Sequence, residues 1–110
     1  MKKLAQFIKI LGDANRLAII YEIGCGSRSV SEIISATGLS QTLVSFHLRV
    51  LRDAEIVTTR RHGPFIYYSL LDHSLIDTLG DLVQLAGLKK DFPGDKLMFL
   101  TQKTLSAKQG

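Results

Sequence analysis

Gln41, Thr42, Ser45 and Arg49 fall within two turns of one predicted helix, and all four carry side chains that hydrogen-bond to flat polar edges. Gln41 offers both a donor and an acceptor, Thr42 and Ser45 offer short hydroxyls, and Arg49 carries a fork of donors on a long stem. At about 100° per residue these positions share a side with Phe46, whereas Val44, Leu48 and Leu51 gather in a narrow apolar stripe. One side packs and the other is free to read. Such a row suits the base edges and phosphates of a nucleic-acid duplex. Arg49 bonds a guanine edge or a phosphate, and Phe46 either touches a thymine methyl or folds back onto the hairpin that follows. Arg60 and Arg61 add cations on that hairpin and alternate across its strand, so one of them at most points straight at such a surface.

Other reactive residue types do not assemble into a catalytic pattern. Ser, His and Asp all occur, but there is no nucleophile elbow, no phosphate-cradling glycine loop and no cluster with metal-ligand spacing, so an enzyme is not expected. Cys25 is the single cysteine, which excludes an intrachain disulfide and reads as a small packing residue. His47 lies near the packed side of the polar helix, where an orienting or packing role fits better than ligation. His73 stands beside Asp72 with no third ligand near it in sequence.

The polar helix needs a scaffold, and its parts are visible as periodicity and punctuation. Leu4, Phe7, Ile8 and Leu11 recur at helical spacing over Lys2 to Leu11, with Gly12 as a stop. Asp13 can cap a second helix carrying Leu17, Ile20, Tyr21 and Ile23 before Gly24 and Gly26. Ser29-Val30-Ser31-Glu32 has the form of a capping box for a short third helix through Ile33, Ile34 and Ala36, ending at Gly38. Ser40 caps the fourth, polar helix, and the Gly38-Leu39 turn before it is too tight for the two helices to lie antiparallel. From Ile56 the period changes to two. Ile56 to Arg61 and Phe65 to Leu70 read as a two-stranded hairpin around His62-Gly63-Pro64. Asp72 can open a fifth helix bearing Leu75, Ile76, Leu79, Leu82, Val83 and Ala86, a stripe wide enough to meet a second subunit. After the linker-like Lys89 to Gly94, a short last helix is read over Asp95 to Leu105.

The expected fold is therefore mainly α with a small β-hairpin. It is a winged helix-turn-helix of order α-α-α-α-β-β-α, with residues 1–88 as one DNA-binding and dimerisation domain and 89–110 as an extension. With 110 residues and a net charge of +4, the chain fits one modest core and mildly favours a polyanionic partner. Its apolar runs stop well short of bilayer length and Met1-Lys2-Lys3 leads into an amphipathic helix, so a cytoplasmic protein without membrane association is expected.

Three segments resemble the arsenic-repressor (ArsR/SmtB) family of bacterial winged-helix regulators. They are Leu11-Gly12-Asp13-Ala14-Asn15-Arg16-Leu17, then Leu39 through Leu51, then Arg60-Arg61-His62-Gly63 through Ile66-Tyr67-Tyr68-Ser69-Leu70. Ala14 stands where such proteins often carry proline. The resemblance implies a homodimer built on the first and fifth helices, with Leu4, Phe7, Ile8, Leu75, Ile76, Leu79, Leu82 and Val83 at the contact. It also implies a repressor that binds an inverted repeat in double-stranded DNA through Ser40, Gln41, Thr42, Ser45, Phe46, Arg49, Arg60 and Arg61, and that is released by an effector. The family's metal sites are not matched. Ser29, Val30 and Ser31 stand where a Cys-x-Cys box would be, and hydroxyls are poor ligands for soft cations. Asp72 fits a fifth-helix site, but the other ligand positions fall on Ser74, Leu85 and Leu88. No cofactor or metal is expected, and the effector's chemistry is not encoded in these motifs. The competing reading is a winged-helix module whose fourth-helix surface, with Phe46 exposed, meets a protein instead.

Overall fold

The computed structural model describes residues 1–88. The chain divides into two compact units, Met1–Asp72 and a second that begins at His73. The extension over 89–110, with the short helix read from Asp95 to Leu105, lies outside the described residues.

Within the first unit, α1 (Lys2–Leu11) turns Leu11 into the core and leaves Leu4, Phe7 and Ile8 exposed. Asp13 sits in extended conformation before α2 (Ala14–Ile23), and its carboxylate accepts from the backbone N–H groups of Asn15 and Arg16, two of the donors a helix start leaves without partners. This helix lies at the centre of the unit, touching α1 and most of the later elements described below. Its core residues are consequently Ile19, Ile20 and Ile23, a broader face than the single stripe expected from sequence, and Leu17 and Tyr21 are only half-buried.

Ser29 and Glu32 form the expected capping box at the start of α3 (Val30–Thr37). Gly38 ends that helix at φ +72°, in the left-handed region that a side chain penalises, and its N–H donates to the Ile34 carbonyl. Two residues later Ser40 caps α4 (Gln41–Asp53) by accepting from the Leu43 N–H at 3.2 Å. The turn is tightened from within. Thr37 Oγ1 donates to the Ile33 carbonyl at 2.7 Å and accepts from the Leu39 N–H at 3.3 Å. Val44, Leu48 and Leu51 are buried to 1% exposure or less and hold α4 onto the core with Ile33 of α3.

The sheet has three antiparallel strands rather than the two expected. β1 (Ser27–Ser29) pairs with β3 (Phe65–Leu70), which pairs on its other edge with β2 (Val57–His62), giving the order β1-β3-β2. His62 belongs to β2, opposite Phe65, so the wing turn is only Gly63-Pro64. Gly63 has φ +61°, and proline's locked negative φ admits the type II′ class of two-residue loop but not type I′. Val57 and Leu70 join the core at the base of the wing.

In the second unit, α5 (Ser74–Ala86) has His73 at its cap position, so it opens slightly later than the start at Asp72 expected from sequence. Ile76, Leu79, Gly80 and Val83 are buried, whereas Leu82 and Leu85 are exposed.

Candidate nucleic-acid interface

The side of α4 opposite its buried stripe is a continuous solvent-facing surface. Gln41, Thr42, Ser45, Phe46 and Arg49 are all exposed, and so is Ser40, whose hydroxyl oxygen is already the helix cap. Leu43, 41% exposed, adds an apolar position that the sequence reading left out. Phe46 is 52% exposed and packs edge-on against His47, with ring centroids 5.2 Å apart and planes at 68°. This ring contact with its own helix neighbour comes in addition to the two partners the sequence left open, a base methyl or the wing.

His47 is the unusual residue of the helix, a polar ring only 5% exposed. Its Nδ1 lies 3.2 Å from Arg16 Nη1 and its Nε2 lies 4.0 Å from Asp13 Oδ1. A guanidinium only donates, so Nδ1 must accept, which leaves the proton on Nε2, facing the Asp13 carboxylate. Arg16 Nε donates to the Ile10 carbonyl in the last turn of α1. Asp13 is held below its ordinary carboxylate pKa chiefly by the hydrogen bond from the Arg16 backbone N–H, which outweighs the opposing effect of burial, while the nearby Arg16 charge, the Asn15 N–H and His47 each lower it by less. This polar group joins α1, α2 and α4 behind the exposed row. No local pattern announces it, because Arg16 and His47 are 31 positions apart in sequence.

On the wing, Arg60 lies opposite Tyr67 and Arg61 opposite Ile66, so the two arginines alternate across the pleat as expected, and both are exposed. Arg61 Nε donates to the Gly63 carbonyl at 3.3 Å and braces the turn. β1 brings a further exposed cation to the sheet, with Arg28 opposite Tyr68 and its guanidinium bonded to the Ser27 carbonyl at 2.9 Å. Base is thus displayed on α4, on β2 and on a strand the sequence reading missed.

The first position of the thiolate box, Ser29, is committed elsewhere. Ser29 Oγ accepts from the Glu32 N–H and the Ser29 N–H donates to Glu32 Oε1, so both are parts of a helix cap. Among the described residues, no three of His, Cys, Asp and Glu converge in a group able to hold a metal ion. Cys25, read as a packing residue, is exposed. Among the described residues, no helix is long and apolar enough to cross a membrane.

Residues 13–59 match the family model described as bacterial regulatory protein, arsR family. The chain is 35% identical over 83 residues to the arsenical resistance operon repressor of Staphylococcus aureus, covering 76% of each protein. It is also 35% identical over 82 residues to the transcriptional repressor SmtB of Mycobacterium tuberculosis, covering 74% of this chain and 61% of the relative. Among solved structures, NolR from Sinorhizobium fredii superposes with a TM-score of 0.70 at 32% identity, over 78% of this chain and 86% of that one. A homodimeric winged helix-turn-helix DNA-binding domain from Mycobacterium bovis superposes with a TM-score of 0.68 at 28% identity, over 81% and 84% of the two chains.

Proposed function

The chain belongs to the arsR family of bacterial regulatory proteins, and from that premise we propose that it is a homodimeric, sequence-specific DNA-binding repressor. The observation that carries this reading is α4 itself. Val44, Leu48 and Leu51 are buried while Gln41, Thr42, Ser45 and Arg49 stand outward together, the disposition a helix needs to enter a major groove. Arg60 and Arg61 on β2 are assigned to the adjacent backbone or minor groove, and Ser40 and Phe46 to the ends and flank of the reading row. The relatives are repressors rather than enzymes, and no catalytic role is assigned to any residue here.

Dimer formation is supported by the homodimeric neighbour and by apolar area left uncovered on two helices. Leu4, Phe7 and Ile8 of α1 and Leu82 of α5 are exposed and have area to lose, whereas Ile76, Leu79 and Val83 are buried and Leu75 is half-buried. Residues 1–88 form the DNA-binding and dimerisation domain in this proposal, and the protein works in the cytoplasm. Ser29 and Ser31 replace the thiolates of the family's soft-metal box, and Ser29 is occupied as a cap, which argues for an effector other than a thiolate-bound metal.

Selection of duplexes from a random pool by the purified protein tests the reading. An inverted repeat with half-sites about one helical turn apart, and a log affinity that falls linearly with log salt, are the expected results. Exposed Leu43 and Phe46 favour a second reading, in which α4 meets a protein, and failure to select any duplex would leave that one standing.

A further inference from the structure

We infer that Arg16 and His47 are a positioning pair that sets the rotation of α4, so that Arg16 governs DNA affinity without touching DNA. This rests on the proposal that α4 reads a duplex.

The guanidinium of Arg16 is engaged on two sides at once. Nε donates to the Ile10 carbonyl, one of the acceptors that the end of α1 leaves without a helical partner, and Nη1 donates to His47 Nδ1. The backbone N–H of the same residue is held by Asp13 Oδ1 at 3.1 Å, which fixes the stem from which the side chain departs. The same Oδ1 faces the other ring nitrogen of His47 at 4.0 Å. The imidazole is thus hydrogen-bonded at Nδ1 by the first turn of α2, with the Asp13 carboxylate facing its other nitrogen beyond hydrogen-bond distance and the Phe46 ring packed edge-on against it.

His47 is placed where such a grip controls orientation. It sits between the core residue Leu48 and the exposed Phe46, at the border of the two sides of α4. The apolar stripe of Val44, Leu48 and Leu51 sets how close α4 lies to the core, but aliphatic contacts tolerate small rotations. Directional hydrogen bonds do not. Rotating a helix by about 10° swings an arginine tip about 8 Å from the axis through about 1.4 Å, more than the distance range of a hydrogen bond permits. Arg49 and Gln41 therefore depend on a bond made behind them.

The test uses a duplex selected by the wild-type protein, with affinity measured across a salt series for Arg16→Met, Arg16→Lys, His47→Leu, His47→Asn and the Arg16→Met/His47→Leu double variant. Thermal unfolding of each confirms a folded protein at the assay temperature. Arg16→Met and His47→Leu are each expected to weaken binding about tenfold with an unchanged salt slope, and the double variant to be no worse than the poorer single one. Arg16→Lys keeps the charge but supplies a point donor that cannot serve both Ile10 and His47, so it too should lose affinity. His47→Asn can present an amide oxygen where Nδ1 stood, and it should retain most of the binding and give a folded acceptor-bearing variant if the leucine variant unfolds. Nitrogen chemical shifts of the His47 ring should report the Nε2–H tautomer in the wild type and a tautomer mixture in Arg16→Met.

A salt slope reduced by about one charge in both Arg16 variants would make Arg16 a phosphate contact and overturn the inference. Unchanged affinity in Arg16→Met, or fully additive losses in the double variant, would overturn it as well. If the wild type selects no duplex, it is the DNA-binding proposal that fails instead.

Discussion

Ser29 and Glu32 exchange hydrogen bonds across the first turn of α3: Ser29 Oγ accepts from the Glu32 N–H at 3.2 Å, and Glu32 Oε1 accepts from the Ser29 N–H at 2.9 Å. Ser29 is also the last residue of β1 and is buried, so one side chain ends a strand and starts the first helix of the helix-turn-helix. Replacing it with alanine leaves the Glu32 N–H without its cap. Ser29→Ala should lower stability by about 1 kcal/mol, read as a drop of several degrees in unfolding midpoint, with dimer assembly unchanged. An unchanged midpoint would show that solvent caps α3 as well as Ser29 does.

What could be read from the chain beforehand follows from how local each signal is. Asp13, Ser29 and Ser40 announce helix starts because a cap acts within three residues, and Gly38 announces a stop because only a left-handed residue fits there. The outward row of α4 is equally local, a matter of helical period. β1 was not legible, since Ser27-Arg28-Ser29 has no apolar alternation and becomes a strand only by pairing with Tyr67, Tyr68 and Ser69, some forty positions on. Ile19 was missed for a related reason: α2 is surrounded, and a helix packed on several sides buries more than one stripe. The Arg16–His47 bond depends on the whole tertiary arrangement and leaves no trace in spacing.

Acid should destabilise the protein through two helix starts. Asp13 is held below 3.8, its ordinary value, chiefly by the Arg16 backbone N–H, and Glu32 below 4.5, chiefly by the Ser29 backbone N–H. Both folded-state values are depressed, so the unfolded chain takes up these protons first. The stabilisation is complete above about pH 5 and is lost as pH falls through the two folded-state values. Urea unfolding between pH 6 and pH 3 should show a falling midpoint whose slope is reduced in Asp13→Asn, and an equal slope in that variant would remove Asp13 from the account.

Glu55 is the sole non-glycine residue at positive φ among the described residues, at +59°. It lies just past α4, where the Glu55 N–H donates to the Arg52 carbonyl and the Ile56 N–H to the Leu51 carbonyl, a Schellman pattern that usually employs glycine. A side chain there costs about 1–2 kcal/mol, and glycine returns part of the gain through the greater freedom of its unfolded chain. Glu55→Gly should raise stability by about 0.5–1 kcal/mol, measured by denaturant titration at an unchanged slope. Destabilisation would mean that the Glu55 side chain makes a contact worth more than its backbone strain.

The arginines of α4 and β2 should separate by how their loss depends on sequence. Arg49 stands in the exposed row with Gln41, Thr42 and Ser45, where a guanidinium can take both acceptors of a guanine edge. Removing it should cost about 1–3 kcal/mol on the selected operator and much less on operators changed at the contacted base pair. Arg60 and Arg61 lie on opposite faces of β2, and Arg61 is partly spent on the Gly63 carbonyl. Arg60→Ala should therefore weaken binding to all duplexes alike and lower the salt slope by about one charge, whereas Arg61→Ala should do less of both and loosen the wing turn. Titrations of the three variants on matched and mismatched duplexes across a salt series distinguish these outcomes. A uniform, slope-changing loss for Arg49 would place it on the phosphate backbone and leave Gln41, Thr42 and Ser45 to carry the base recognition.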